Sequence, residues 1–500
     1  MSDSRSGTEP IGTASLPHPL HVAFVSMGIT CLAWMVFLAA GEEGITKLTL
    51  FSSKLKVLQG NDGLVIALIG ISVVCVGGSA AVLPFRPRLL MALILLSFGL
   101  AEVVIPWLNL GAFMIRYLVV ITLTAGGVLA LFHTKRTEIG WLRWVALAFL
   151  GWCFASVAVT GARTESLVLL PIQLVLVVGM LFGARGIYHS PPLIIQAANV
   201  FAGIAVVMTG IHLMALLALP DSFLKGRFTS IFPLPTSFGN NYVFFMGAML
   251  WRMFHGGKMI EGAILASCSA IGGVMLLLSG TRNAFLMVAI MVLVYFFVWK
   301  ARVTAIAGVS VLITALVATG FLLESSMFKQ ATHRANSKES LEIREQVWGV
   351  AWEYIKERPL VGYGLGTSAE TLAKSLPSWK RFNAHNAYLG IWLQLGVIGL
   401  VGVVLMYLGA MAIGWKILMG SAVPKDLVVA VALPLATLTG LFVGGMFEEN
   451  LSNRGGLQQV IWGLDICLIQ SVRAQLRAMK PGIVSDDQVG TLSPAALGDL

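Results

Sequence analysis

Apolar stretches of membrane-crossing length, parted by short polar turns, recur along the chain from residue 21 to residue 471. About twenty apolar residues in a helix are enough to cross a bilayer core. The pattern predicts fourteen spans, at 21–40, 63–84, 89–107, 111–132, 142–160, 166–184, 193–219, 237–254, 260–279, 284–299, 303–322, 386–413, 427–446 and 457–471. Two segments break the rhythm. Residues 323–385 form one long polar connection between spans eleven and twelve, and residues 472–500 are rich in Gly, Ser, Pro and Asp, a tail predicted to be disordered. The expected organisation is a polar tail at 1–20, spans at 21–322, a loop at 323–385, spans at 386–471 and a second tail at 472–500.

Composition supports the same class. The chain is 57% hydrophobic and 12% charged, whereas soluble domains carry roughly twice that charge. One all-α polytopic membrane domain is expected, not a string of globular modules. The first apolar run is long enough to be retained as a span and lacks signal-peptide architecture. All five cysteines fall inside expected spans, so they predict neither a disulfide framework nor a metal cluster.

The net charge of +10 is distributed unevenly. With the N-terminus in the cytoplasm, the inner loops take Arg86, Arg88, Lys135, Arg136, Arg143, Arg185, Arg252, Lys258, Lys300, Arg302, Lys416 and Lys425. That is the positive-inside pattern. A second set runs against it, in short outer loops: Lys47, Lys54, Lys56, Arg116, Arg163, Lys225, Arg227, Arg282 and Arg454. Any one of these reads as a snorkelling, solvated side chain. Several arginines on one face would suit an anionic ligand, because guanidinium binds phosphate oxygens in pairs.

Four outer stretches carry the candidate chemistry. GRFTSIFPLPTSFGNNY (226–242) is a Pro-rich turn with Arg227 at its start, and SGTRNAFL (279–286) sets Arg282 between two apolar helices. Arg282 has no acidic residue within fifteen positions, and an interfacial arginine without a counter-ion usually binds something. NAHNAYLGIWLQLGVIGL (383–400) turns from a polar loop into a span, with His385 between Asn383 and Asn386. Asn383 or His385 could simply cap that helix. As an outer-side imidazole abutting a helix, His385 is also the natural candidate for a general base near neutral pH. Gly396 and Gly399 further along suit close approach of a neighbouring helix. The fourth stretch is FEENLSNRGG (447–456). No Asp-x-Asp pair occurs in the outer segments, so a metal-free site is expected.

Within the long loop, SLEIREQVWGVAWEYIKERP (340–359) spaces its apolar residues for an amphipathic helix against the membrane domain or interface. VGYGLGTS follows. Its glycines imitate a phosphate loop, but no strand precedes them, and a turn that re-aims the chain is the better reading. Tyr363, Trp379 and Trp392 could offer stacking faces to sugars, although interfacial aromatics are more often an anchoring belt.

Taken together, RPLVGYGLG and NAHNAYLGIWLQLGVIGL, with the arginine stretches upstream, resemble the O-antigen ligase superfamily, which includes Wzy-type and exopolysaccharide polymerases. The resemblance covers roughly residues 226–400 and implies a GT-C-like helical fold of 12–14 spans with one large periplasmic loop. It implies an inner-membrane glycosyltransferase that moves a glycan from undecaprenyl diphosphate to an acceptor hydroxyl on the periplasmic face, without metal or cofactor and with inversion. Arg227 and Arg282 match arginines that hold the diphosphate, and His385 matches the histidine that acts on the acceptor. Asn383, Asn386, Tyr363 and Arg116 are secondary candidates. Implied partners are the lipid-linked donor, a lipid A-core or growing polysaccharide acceptor, and membrane lipids, with no nucleic acid. A polymerase sharing the donor chemistry is one alternative. A flippase of lipid-linked sugars is another, disfavoured because no internal duplication is visible and the polar residues gather at span ends.

Overall fold

The computed structural model describes residues 83–125 and 166–219 with interruptions, 140–160, 222–256 apart from 225, 258–317, 339–375, 384–420, 423–448 and 456–479. The expected spans at 21–40 and nearly all of 63–84, and most of both tails, lie outside them. The described chain is almost wholly helical: α1 (Pro87–Gly99), α2 (Trp141–Thr160), a π-helical stretch (Leu176–Gly183) running into α3 (Ala184–Ile187), α4 (Pro191–Ala218), α5 (Pro235–His255), α6 (Met259–Ser279), α7 (Arg282–Val317), α8 (Glu339–Glu357), α9 (Ser368–Ala373), α10 (Ala387–Met419), α11 (Lys425–Gly444) and α12 (Leu457–Ala478). A two-stranded antiparallel hairpin, β1 (Phe223–Leu224) with β2 (Arg227–Phe228), joins α4 to α5. The protein is an all-α polytopic membrane protein.

Among the described residues, six helices are long and apolar enough to cross a membrane: α2, α4, α6, the Arg282–Trp299 part of α7, α10 and α11. Helices α5 and α12 are more polar, carrying Asn240, Asn241, Gln458, Gln459 and Asp465, all five of which are buried. A helix enclosed by other helices does not meet lipid, so its hydropathy falls without penalty when its polar groups find partners. The enclosing helices show the complementary pattern. Val207 and Met214 on α4, Ile264 on α6, Leu293 and Phe297 on α7, and Val401 and Leu405 on α10 are exposed apolar side chains, as a lipid-facing surface requires.

The predicted spans at 284–299 and 303–322 both fall in α7, whose backbone leaves the helical region at Trp299 (φ −131°, ψ 49°), so two helices meet there at a kink; residues after Val317 lie outside the described ones. One sequence expectation changes. The Gly396–Gly399 pair is not a flat contact face. Gly396 breaks α10 with φ 66° and ψ −175°, a conformation open to glycine and strained for any other residue. The break is filled by the loop after α8. Val397 donates to Pro359 O (2.8 Å), and the amides of Tyr363 and Gly364 donate to Leu393 O (2.9 Å) and Gln394 O (2.8 Å). Trp152 Nε1 on α2 donates to Leu395 O (2.8 Å), and Gln394 Oε1 accepts from the Gly366 amide (2.7 Å). Every carbonyl freed at 393, 394 and 395 is thus recovered.

The loop can enter because Gly362, Gly364 and Gly366 all have positive φ and because Gly362 and Gly396 lack side chains. A Cβ on either would collide with the backbone of the other segment. The glycines expected to make a turn therefore do so, in a strap that splints a broken helix. The amphipathic helix expected at 340–359 is α8, which turns Val347, Ala351 and Ile355 inward against Leu393 and Tyr363.

Candidate functional site

One end of the bundle gathers the C-termini of α4, α6 and α11 and the N-termini of α5, α7, α10 and α12. Arg227 sits there on β2. Its hairpin is anchored by Ser222 O, which accepts from the amides of Thr229 (2.8 Å) and Ser230 (3.2 Å). The half-buried Arg227 side chain reaches across to the end of α6, where Nε donates to Ser279 O (2.7 Å). Gly280 ends α6 with φ 62°, and a Cβ there would stand 3.3 Å from Arg227 Nε. Glycine therefore supplies both the left-handed C-cap and the bed on which the guanidinium lies.

Thr281 follows, donating to Pro235 O (3.0 Å) at the start of α5. Arg282 is the first residue of α7 and is exposed. Only Gly280 and Thr281 lie between the carbonyl that holds Arg227 and the backbone of Arg282. The two arginines lie in separate stretches of the sequence, and the α6–α7 turn sets the carbonyl that holds Arg227 three residues before Arg282.

The next residue carries the link onward. Asn283 is buried, and its Nδ2 lies 3.4 Å from Asn240 Oδ1, while Gln458 Nε2 donates to Asn240 O (3.2 Å). Asn283 Oδ1 lies 3.4 Å from where a Cβ on Gly444 would be. The adjacent Gly445 carbonyl accepts from Ala387 N (2.7 Å), two residues beyond His385. The start of α7, the end of α11 and the start of α10 are thus in direct contact, and Arg282 and His385 flank that junction.

His385 occupies the left-handed region (φ 49°), which is uncommon for histidine and strained. Its side chain is about one-third exposed, and Nδ1 faces Glu448 Oε2 at 3.8 Å. The other carboxylate oxygen of Glu448 accepts from Arg344 Nη2 on α8 at 3.4 Å. Glu448 is therefore shared between the imidazole and α8. Nothing in the sequence marks Glu448 or Arg344 as belonging to the site. Neither pairing joins chain neighbours, so no spacing rule could have found them.

The cap of α10 is Asn386, not Asn383 or His385. Asn386 Oδ1 accepts from the amides of Tyr388 (3.0 Å) and Leu389 (3.1 Å), the N2 and N3 donors a cap serves. Asn383 lies outside the described residues, as do Trp379 and Arg454. Trp348 Nε1 holds the Ala384 carbonyl (2.8 Å) and so ties the residue before His385 to α8.

Tyr363 is buried in the strap. Its hydroxyl donates to Glu357 Oε2 (2.5 Å), and Arg358 lies over its ring at 5.0 Å. Burial, with the Glu357 carboxylate second, pushes its phenol up to about 12, so it stays a neutral donor. These contacts occupy the ring and make it part of the splint. Arg116 lies over the Phe98 ring at 5.7 Å, near the end of α1.

A comparison with curated proteins finds no match. Residues 267–404 match the family model described as O-antigen ligase. That segment runs from the middle of α6 through Arg282, α8, the strap and His385 into α10. Over those residues the match supports the resemblance to the O-antigen ligase-like superfamily.

Proposed function

We propose that the protein transfers a glycan from undecaprenyl diphosphate to an acceptor hydroxyl, at the end of the bundle that carries Arg227, Arg282 and His385. The observation that supports this reading is the contact of α7, α10 and α11 at one end of the bundle, with Arg282 and His385 at the starts of two of these helices and Arg227 bonded to the end of α6. The match of residues 267–404 to the O-antigen ligase family model supports it as well. In this reading that end faces the periplasm from the inner membrane.

In the proposed reaction the acceptor oxygen attacks the anomeric carbon opposite the diphosphate. The bond from that carbon to the diphosphate oxygen breaks, and the leaving lipid keeps its electron pair. Inversion follows. Fixed guanidinium groups meet the charge that grows on the leaving oxygens with little reorganisation, so the step needs no metal. His385 takes the proton of the acceptor hydroxyl. Glu448, facing Nδ1, orients the ring so that Nε2 meets the acceptor.

Ligase and polymerase differ only in acceptor, and the lipid products of a deletion strain tell them apart. Uncapped lipid A-core marks a ligase, and single repeat units mark a polymerase. The test of the enzyme reading is transfer by full-length protein in proteoliposomes supplied with lipid-linked glycan. His385→Ala and Arg282→Ala are each expected to lower the rate by about a hundredfold or more with folding intact. Near wild-type transfer by His385→Ala would overturn the general-base role, and glycan translocation without a new glycosidic bond would overturn the enzyme.

A further inference from the structure

His212, near the end of α4, is a fully buried imidazole within a membrane helix that the reaction above does not use. Its ring lies among Phe232 (5.8 Å), Phe238 (5.1 Å) and Tyr242 (5.5 Å). Nδ1 shares a hydrogen bond of 2.7 Å with Ser230 Oγ. Ser230 and His385 are the two non-glycine residues with positive φ among the described residues, Ser230 at 57°. A buried polar side chain in a membrane helix is costly unless it does something, and a left-handed serine persists only where its surroundings hold it.

The two features meet in one bond. Ser230 closes the hairpin that bears Arg227. Its amide and that of Thr229 return to Ser222 O, and the chain then turns through Ile231 and Phe232 toward α5. On the other side, Arg227 is fixed to Ser279 O. The hairpin is therefore gripped at two points, and the His212 grip is the one that holds a strained residue. We infer that His212 is a positioning residue: through Ser230 it locks the left-handed bend that presents Arg227 to the diphosphate of the donor. The role of Arg227 in this statement rests on the function proposed above.

Two substitutions at position 230 separate the bend from the bond. Ser230→Ala removes the bond and leaves a side chain that resists positive φ, whereas Ser230→Gly removes the same bond and leaves a residue that adopts the bend freely. In full-length protein in nanodiscs, Ser230→Ala and His212→Gln are expected to speed amide exchange across 222–230 by tenfold or more. Ser230→Gly should stay within about threefold of wild type, and His212→Gln combined with Ser230→Gly should recover the protection lost in His212→Gln. Equal exchange in the alanine and glycine variants would overturn the inference, as would no recovery in the double variant.

Binding of undecaprenyl diphosphate, read on the same samples, provides the second arm. Its affinity should fall about tenfold in Ser230→Ala, following Arg227→Ala, and hold in Ser230→Gly. If exchange behaves as stated while Arg227→Ala binds the lipid like wild type, the bend is held by His212 and it is the donor-binding role of Arg227 that fails.

Discussion

Asn386 and Glu448 both lie close to His385, and they do different things. Asn386 satisfies two amides at the start of α10, so Asn386→Ala should cost about 1 kcal/mol of stability, the usual worth of a cap. Glu448→Gln keeps the size of the side chain and removes the charge facing Nδ1, so it should lower kcat with little change in KM for the donor. Thermal unfolding and steady-state transfer, measured on both variants, check the pair. A fall in thermal stability for Glu448→Gln with kcat unchanged would make Glu448 a structural tie to Arg344. That His385, Arg227 and Arg282 stand at the mouths of apolar runs was legible in the sequence. The partners that aim them were not, because Ser279 O, Glu448 and Arg344 are set by tertiary contact.

Among the elements, the apolar runs within the described residues fall in helices, and α8 emerged from its spacing of Val347, Ala351 and Ile355. The break in α10 did not. LQLGVIGL is continuously apolar, and hydropathy carries no information about the sign of φ at Gly396. The glycines of VGYGLG announced a turn, yet not what the turn would fit. Gly396→Ala should destabilise the protein by at least about 3 kcal/mol, because the new methyl meets the Leu360 carbonyl in a conformation already hostile to alanine. Gly151→Ala, on a helix with open space around the added carbon, should be neutral or stabilising by up to about 1 kcal/mol. Denaturant or thermal unfolding in detergent compares the two, and similar stability in both variants would refute the fit described for the strap.

At the scale of the molecule, the two ends of the bundle differ. The end opposite His385 holds Arg252 in a paired contact with Glu261 (2.6 Å and 3.0 Å), and the link from Gln475 to His189 O (2.9 Å). With the excess of short basic loops, this is the end expected in the cytoplasm. Cysteine introduced at Arg282 should react with a membrane-impermeant maleimide in intact spheroplasts, whereas cysteine at Lys258 should react only after lysis. Reversed labelling would place the arginines in the wrong compartment for a periplasmic reaction. The strap has a bearing on biogenesis as well. Residues 359–366 leave the ribosome before Gly396 does, so on the proposed topology the segment that mends α10 precedes the broken helix into the translocon. A chain rearranged so that the splint is made last would have to insert α10 with its carbonyls bare, and quality-control proteolysis would be its expected fate.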